Sequence, residues 1–294
     1  MRNEGLMRYT IWLISLIFFI HPIFSEAQSH GKELDLAFFA DVMMNARDGL
    51  HRERAAKEIR TIMESVLADP NNDAFDFERI PWISTVVPQD SAFRIFTWQW
   101  EGQTEQVHYE GAFQIRNGPV FWLKNLSADP SDAEYFESTP DNWLGQVYYS
   151  MHQYEFEGQT EYLLFGYRKL KSGHIIKTAE PLSILNGEVR FGKELFFDDK
   201  RHGKNRLIIK YSDNSTASLK FDPELGKIIF DNIVSIINPY ESGAVRLVPE
   251  GTYKAYAFKN GKWYFEENVL DTRYETPPMQ RTENSEPKRD LFGR

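Results

Sequence analysis

The chain has 294 residues, with 34 Lys and Arg against 43 Asp and Glu for a formal charge of −9, and 41% of its residues are apolar. This composition suits a folded protein with a sizeable core and repels polyanions; no basic run reaches nucleic-acid density, so no DNA or RNA partner is expected. The chain has no cysteine, which excludes disulfides, thiolate metal sites, a Cys nucleophile and the lipidated Cys of a bacterial lipoprotein.

Arg2 and Arg8 precede an apolar run from Tyr9 to Ile20, and Ser25-Glu26-Ala27 supplies small residues at the positions a signal peptidase reads. The run is shorter than the roughly 20 residues that span a bilayer. Residues 1–27 are therefore expected to be a cleaved signal peptide, which makes the protein periplasmic or secreted with no membrane span in the mature chain.

Residues 28–70 read as an N-terminal helical segment. Leu36, Phe39, Ala40 and Met43, then Ile59, Ile62, Met63 and Val66, repeat at i, i+3, i+4 and i+7, so each stretch has one apolar face. Gly49 marks the expected break, and Asp69-Pro70 the expected end, because proline cannot continue the hydrogen-bond ladder.

Residues 71–273 form the expected β domain. The chain is 15% aromatic, and flat rings favour half-buried pleated faces. A period of two begins near Phe93, placing Phe96, Trp98 and Trp100 on one strand face, and strand-like runs recur at 106–115, 146–156, 161–169, 206–211, 217–221, 227–233 and 252–258. Glu157-Gly158, Asn186-Gly187 and Asn260-Gly261 are among the turn signals between and beyond them. The pattern predicts a mainly β fold: an antiparallel meander of about a dozen strands, wrapped as a two-layer sandwich or partly closed barrel with an N-terminal helical pair. The stretch Glu101-Gly102-Gln103-Thr104-Glu105 returns as 157–161, which reads as two hairpins sharing a favourable turn. Residues 274–294 are polar and proline-bearing and read as a disordered tail.

The runs Asp90-Ser91-Ala92-Phe93-Arg94-Ile95-Phe96-Thr97-Trp98, Tyr109-Glu110-Gly111-Ala112-Phe113-Gln114, Tyr162-Leu163-Leu164-Phe165-Gly166-Tyr167 and Arg206-Leu207-Ile208-Ile209-Lys210-Tyr211-Ser212 carry a resemblance. Over roughly residues 70–271 the chain resembles a group of uncharacterised exported proteins of Bacteroidetes. The resemblance implies export and an intact β fold, and supplies no catalytic residues. Tyr167-Arg168-Lys169 stands where such proteins tend to have Trp-Asp-Gly, and Pro249-Glu250-Gly251-Thr252-Tyr253 where they have Pro-Asp-Gly-Ser-Tyr. A ligand role resting on those acids does not carry over.

No cofactor or metal is expected. Asp69-Pro70-Asn71-Asn72-Asp73 opens like a calcium loop, yet Ala74 stands where the turn needs Gly and Ile80 where the bidentate Glu belongs. The seven histidines lack the spacing that puts two imidazoles on one helical face. Glu110, Glu155, Glu157 and Glu161 lie on or beside strands, where a pair could converge for acid and base chemistry. Trp98, Trp100, Tyr148 and Tyr154, with His152 and Phe156 beside them, are the candidate ring-stacking residues, for a carbohydrate or a protein of the envelope; packing into the core is the competing use of the same rings. The expected role is binding or structural. The alternative is a hydrolase of envelope or extracellular polymers such as polysaccharide, which a deep cleft with two carboxylates at catalytic separation would favour over shallow aromatic grooves.

Overall fold

A computed structural model of the protein describes residues 30–69, 75, 77–104, 106–126, 132–198, 202–237, 245–267 and 269. The expected leader, the calcium-like stretch beyond Asp69 and the expected tail lie outside the described residues.

Two helices come first, α1 over residues 30–45 and α2 over Gly49–Leu67. The periodic residues do what their spacing predicts: Leu36, Ala40, Met43, Ile59, Met63 and Val66 are buried. The break falls at 46–48 rather than at Gly49, because the Asp48 carboxylate caps α2 by accepting from the Leu50 N–H at 2.8 Å, a contact usually worth about 1 kcal/mol. Gly49 serves close approach instead. A Cβ there would lie 2.8 Å from the Gln103 Cα, so glycine lets the start of α2 sit against the following β-loop.

The rest is mainly β, arranged as three stacked sheets. The first holds β1 (Ser84–Val86), β2 (Phe93–Glu101), β3 (Val107–Ile115) and β4 (Val120–Leu123) in chain order. The middle sheet runs β11 (Leu207–Ser212), β7 (His174–Leu185), β6 (Gln159–Lys169), β5 (Val147–Phe156), with β8 (Glu188–Phe191) paired to the end of β7. The third runs β10 (Gly203–Lys204), β9 (Phe196–Phe197), β15 (Lys262–Glu266), β14 (Val245–Lys259), β13 (Lys227–Ile237), β12 (Leu219–Asp222). Among the described strands all pairings are antiparallel except β15 with β9. The sandwich expected from the turn spacing is therefore present, with a third sheet added and no closed barrel among the described residues.

Strand alternation explains the stacking, since successive side chains leave opposite faces. On β2, Phe96 and Trp98 pack under the helices with Ile59 and Met63, while Phe93 and Ile95 face the middle sheet. On β6, Leu164 meets the first sheet's core and Leu163 and Phe165 meet the third's, with Tyr256 and Trp263. The order is thus helices, first sheet, middle sheet, third sheet, with the middle one covered on both faces.

Candidate functional site

The four ring-stacking candidates do not share a surface. Trp98 is 0% exposed beneath the helices and Tyr148 is 0% exposed in the middle sheet, so neither presents a ring to solvent. Trp100 is half-buried against the helices, stacked on His108 at 4.2 Å between centroids, with its Nε1 donating to Glu110 at 3.2 Å. Tyr154 lines a cleft. A bulge accounts for the separation of Tyr148 from Tyr154: the β5–β6 register shifts between Tyr148 and Ser150. The extra residue turns Tyr148 toward the first sheet and leaves His152 and Tyr154 toward the third.

Tyr148 belongs to a buried polar cluster. Glu180 Oε1 accepts from Gln146 at 2.6 Å and from the Tyr148 hydroxyl, while Glu180 Oε2 accepts from Arg206 Nε at 2.8 Å. The guanidinium also donates to the carbonyls of Ala133, Phe136 and Phe191 and to the Ser138 hydroxyl, which engages all five of its N–H groups. Burial, and next the negative Glu180, push the Tyr148 hydroxyl well above the usual phenol range. Every partner is internal, so the cluster pins the 132–138 segment to the middle sheet.

The carboxylate candidates separate as well. Glu110 faces α2, where burial raises its pKa against the opposing pull of the Trp100 N–H. Glu155 is exposed and accepts from the Thr160 hydroxyl at 2.6 Å. Glu157 and Glu161 lie by the β5–β6 turn, and Glu161 pairs with Lys193 at 2.9 Å. Among the described residues no group of three or more His, Asp or Glu is placed to hold a metal ion. No described helix is long and apolar enough to cross a membrane.

Tyr154 leads to an aromatic cleft. With Phe156 of β5 and Phe258 of β14 it lines a cleft of about 270 Å³, whose remaining walls include Glu161, Lys193, Asn260 and Lys262. The three rings are half-buried and meet edge to face, Tyr154 and Phe156 each against Phe258 at 5.0 and 5.6 Å. Partial burial pushes the Tyr154 hydroxyl up to about 12, so it stays a neutral donor at neutral pH. The Asn260-Gly261 hairpin closes one end, with both residues at positive φ, and a Cβ on Gly261 would lie 2.6 Å from the Phe156 ring. Behind the cleft His152 stacks between Tyr154 and Phe221, and burial lowers its pKa to about 4.

A larger cleft of about 720 Å³ adjoins it, sharing Glu161 and Lys193 and adding Glu137, Tyr162, Ile184 and Arg190. Glu137 sits 3.6 Å from Arg190, so the cleft's two carboxylates each already have a basic partner. A third cleft, about 570 Å³, lies at the end of α2 beside Arg94 and Arg116 and includes one aromatic ring, Phe93. Ser91 lines it too, at φ 54°, held in a turn by the Asp90 carboxylate accepting from the Ala92 N–H.

Phe258, Lys193 and Lys262 were not among the sequence candidates. Thr252–Phe258 reads as a strand and Asn260-Gly261 as a turn, yet nothing local says that this hairpin packs against β5 from another sheet.

These features define a helix-capped, three-sheet β protein with an aromatic cleft between the middle and third sheets. No family model matches the chain, and neither the curated proteins nor the solved structures contain a match.

Proposed function

We propose that this is an exported protein, periplasmic or secreted, that binds neutral carbohydrate in the Tyr154–Phe258 cleft. The observation that carries the reading is the pairing of half-buried rings with a polar rim at one opening. A sugar ring has an apolar C–H face that packs on an aromatic side chain and an equator of hydroxyls that need donors and acceptors. Glu157, Glu161, Asn260, Lys193 and Lys262 supply both kinds, two carboxylates against two ammonium groups. The overall charge of −9 disfavours a polyanionic ligand. The leader pattern and the resemblance to exported Bacteroidetes proteins support the compartment.

The binding reading is preferred to a hydrolase because Glu137 and Glu161, the carboxylates of the larger cleft, are held by Arg190 and Lys193. A general acid or base must be free to meet the proton it moves, and an ion-paired carboxylate is already engaged.

Affinity electrophoresis through gels containing neutral polysaccharides tests the proposal. Wild-type protein is expected to be retarded by at least one of them, and Phe258→Ala, checked for folding, to migrate as in a blank gel. Retardation by none, with binding to an envelope protein instead, would reject it.

A further inference from the structure

The middle sheet forks beside the aromatic cleft. Pairing between β6 and β7 stops at Tyr162 opposite Leu182. Beyond that rung the β5–β6 hairpin continues alone to Phe156 opposite Gln159, and the β7–β8 hairpin continues alone to Leu185 opposite Glu188. Two hairpin tips therefore stand apart with a gap between them.

The clefts lie on either side of that gap. Tyr154 and Phe258 belong to the side facing the third sheet, whereas Tyr162 and Leu182, which line the larger cleft, belong to the core facing the first sheet. Glu161 and Lys193 line both clefts and bridge at the fork, with the Glu161 side chain 15% exposed and that of Lys193 43% exposed. The accessible Lys193 ammonium can turn toward a ligand's hydroxyls while Glu161 stays in place, because a bridge with one solvated partner is weakly held.

Resting on the carbohydrate reading, we infer that the two clefts are one groove passing through the fork, and that its ligand is a linear oligosaccharide longer than the aromatic cleft holds. The aromatic cleft receives one end on Tyr154 and Phe258. The larger cleft, more than twice the volume, receives the following units over Tyr162 and Ile184, with Ser183 and Arg190 beside them. A saccharide lying across the fork meets the Glu161–Lys193 pair at its middle.

Titration calorimetry with malto-, cello- and manno-oligosaccharides of two to six units tests the inference. For the series that binds, affinity is expected to climb about tenfold or more from disaccharide to hexasaccharide as contacts extend beyond the first cleft. Ser183→Trp, which places an indole in the larger cleft, is expected to abolish that climb. Should Ser183→Trp fail to fold, Leu185→Gln at the exposed hairpin tip, 64% accessible, is expected to reduce the climb by about threefold through loss of apolar contact. Affinity independent of length, with Phe258→Ala still abolishing binding, would leave the carbohydrate reading standing and reject the through-fork groove. A climb that persists in Ser183→Trp would reject it as well. Binding of no series would reject both.

Discussion

Arg206 Nε donates to Glu180 Oε2 at 2.8 Å, and both side chains are fully buried. Removing one member of such a pair strands a charge in a medium that solvates it poorly, at a cost of about 3–5 kcal/mol. Arg206→Met is expected to lower unfolding stability by that amount in urea, and Arg206→Met with Glu180→Gln to recover part of it. A single-variant loss below about 1 kcal/mol would contradict the burial of the pair.

Trp98 fills the core between α2 and the first sheet at 0% exposure, and its Nε1 finds no acceptor among the described residues. Trp98→Ala is expected to cost about 3–5 kcal/mol through the cavity it leaves. Trp98→Phe is expected to cost less than about 2 kcal/mol, because removing an unpaired N–H offsets part of the lost volume. Equal losses for the two variants, read from urea midpoints, would overturn the account of this site.

The pattern of strands was legible where rings alternate with polar residues, as they do with Thr97 and Gln99 on β2. Phe96, Trp98 and Trp100 do share a face of β2, and the turns at Glu157-Gly158, Asn186-Gly187 and Asn260-Gly261 carry the positive φ that Gly and Asn favour. β7 was illegible for a physical reason. Covered on both faces, it lacks alternation, and it carries a buried Glu180 and Pro181, which argue locally against a central strand. The fold accommodates the proline because the Pro181 carbonyl accepts from the Gly192 N–H on the side where pairing passes from β11 to β8. Its missing N–H faces that handover, where no strand needs it.

The candidate site was legible only in part. Tyr154 stands out in any alternating reading of β5, but the bulge at Tyr149 that separates it from Tyr148 has no local signature in Val147-Tyr148-Tyr149-Ser150. The two copies of the Glu-Gly-Gln-Thr-Glu stretch also diverge. Glu157 and Gly158 form a two-residue turn at positive φ, whereas Gly102 has ordinary φ in a loop whose Glu101 carbonyl accepts from Arg52 at 2.7 Å. Tertiary contact with α2 sets the second geometry.

Gly158 and Gly261 occupy equivalent turns at φ 76° and 80°, but a Cβ meets nothing within 4 Å at Gly158 and the Phe156 ring at 2.6 Å at Gly261. Gly158→Ala is expected to cost about 1–2 kcal/mol, the strain of a left-handed alanine. Gly261→Ala is expected to cost more and to weaken saccharide retention, since Phe156 must move. Equal stability losses in thermal or urea unfolding would contradict the Phe156 contact.

Burial of His152 between Tyr154 and Phe221 lowers its pKa from 6.5 to about 4. The folded protein then binds fewer protons than the unfolded chain between those values. The stabilisation that neutral His152 provides is present above about pH 6.5 and lost as pH falls toward 4, by up to about 2 kcal/mol after allowance for its partial exposure. His152→Phe is expected to flatten the pH dependence of the urea midpoint in that window. An unchanged slope would place the titrating group elsewhere.

Under the proposed function ligand meets the rings of Tyr154 and Phe258, and titration of a retained oligosaccharide against wild type, Phe258→Ala and Trp100→Ala decides whether it does. Trp100 is a still larger ring on the helix-facing side of the first sheet, so it controls for loss of an aromatic at a distance. Phe258→Ala is expected to lose at least about tenfold in affinity, equivalent to about 1.4 kcal/mol, and Trp100→Ala to change it less than about twofold, with folding verified for each. Loss of binding in Trp100→Ala with retention in Phe258→Ala would contradict it.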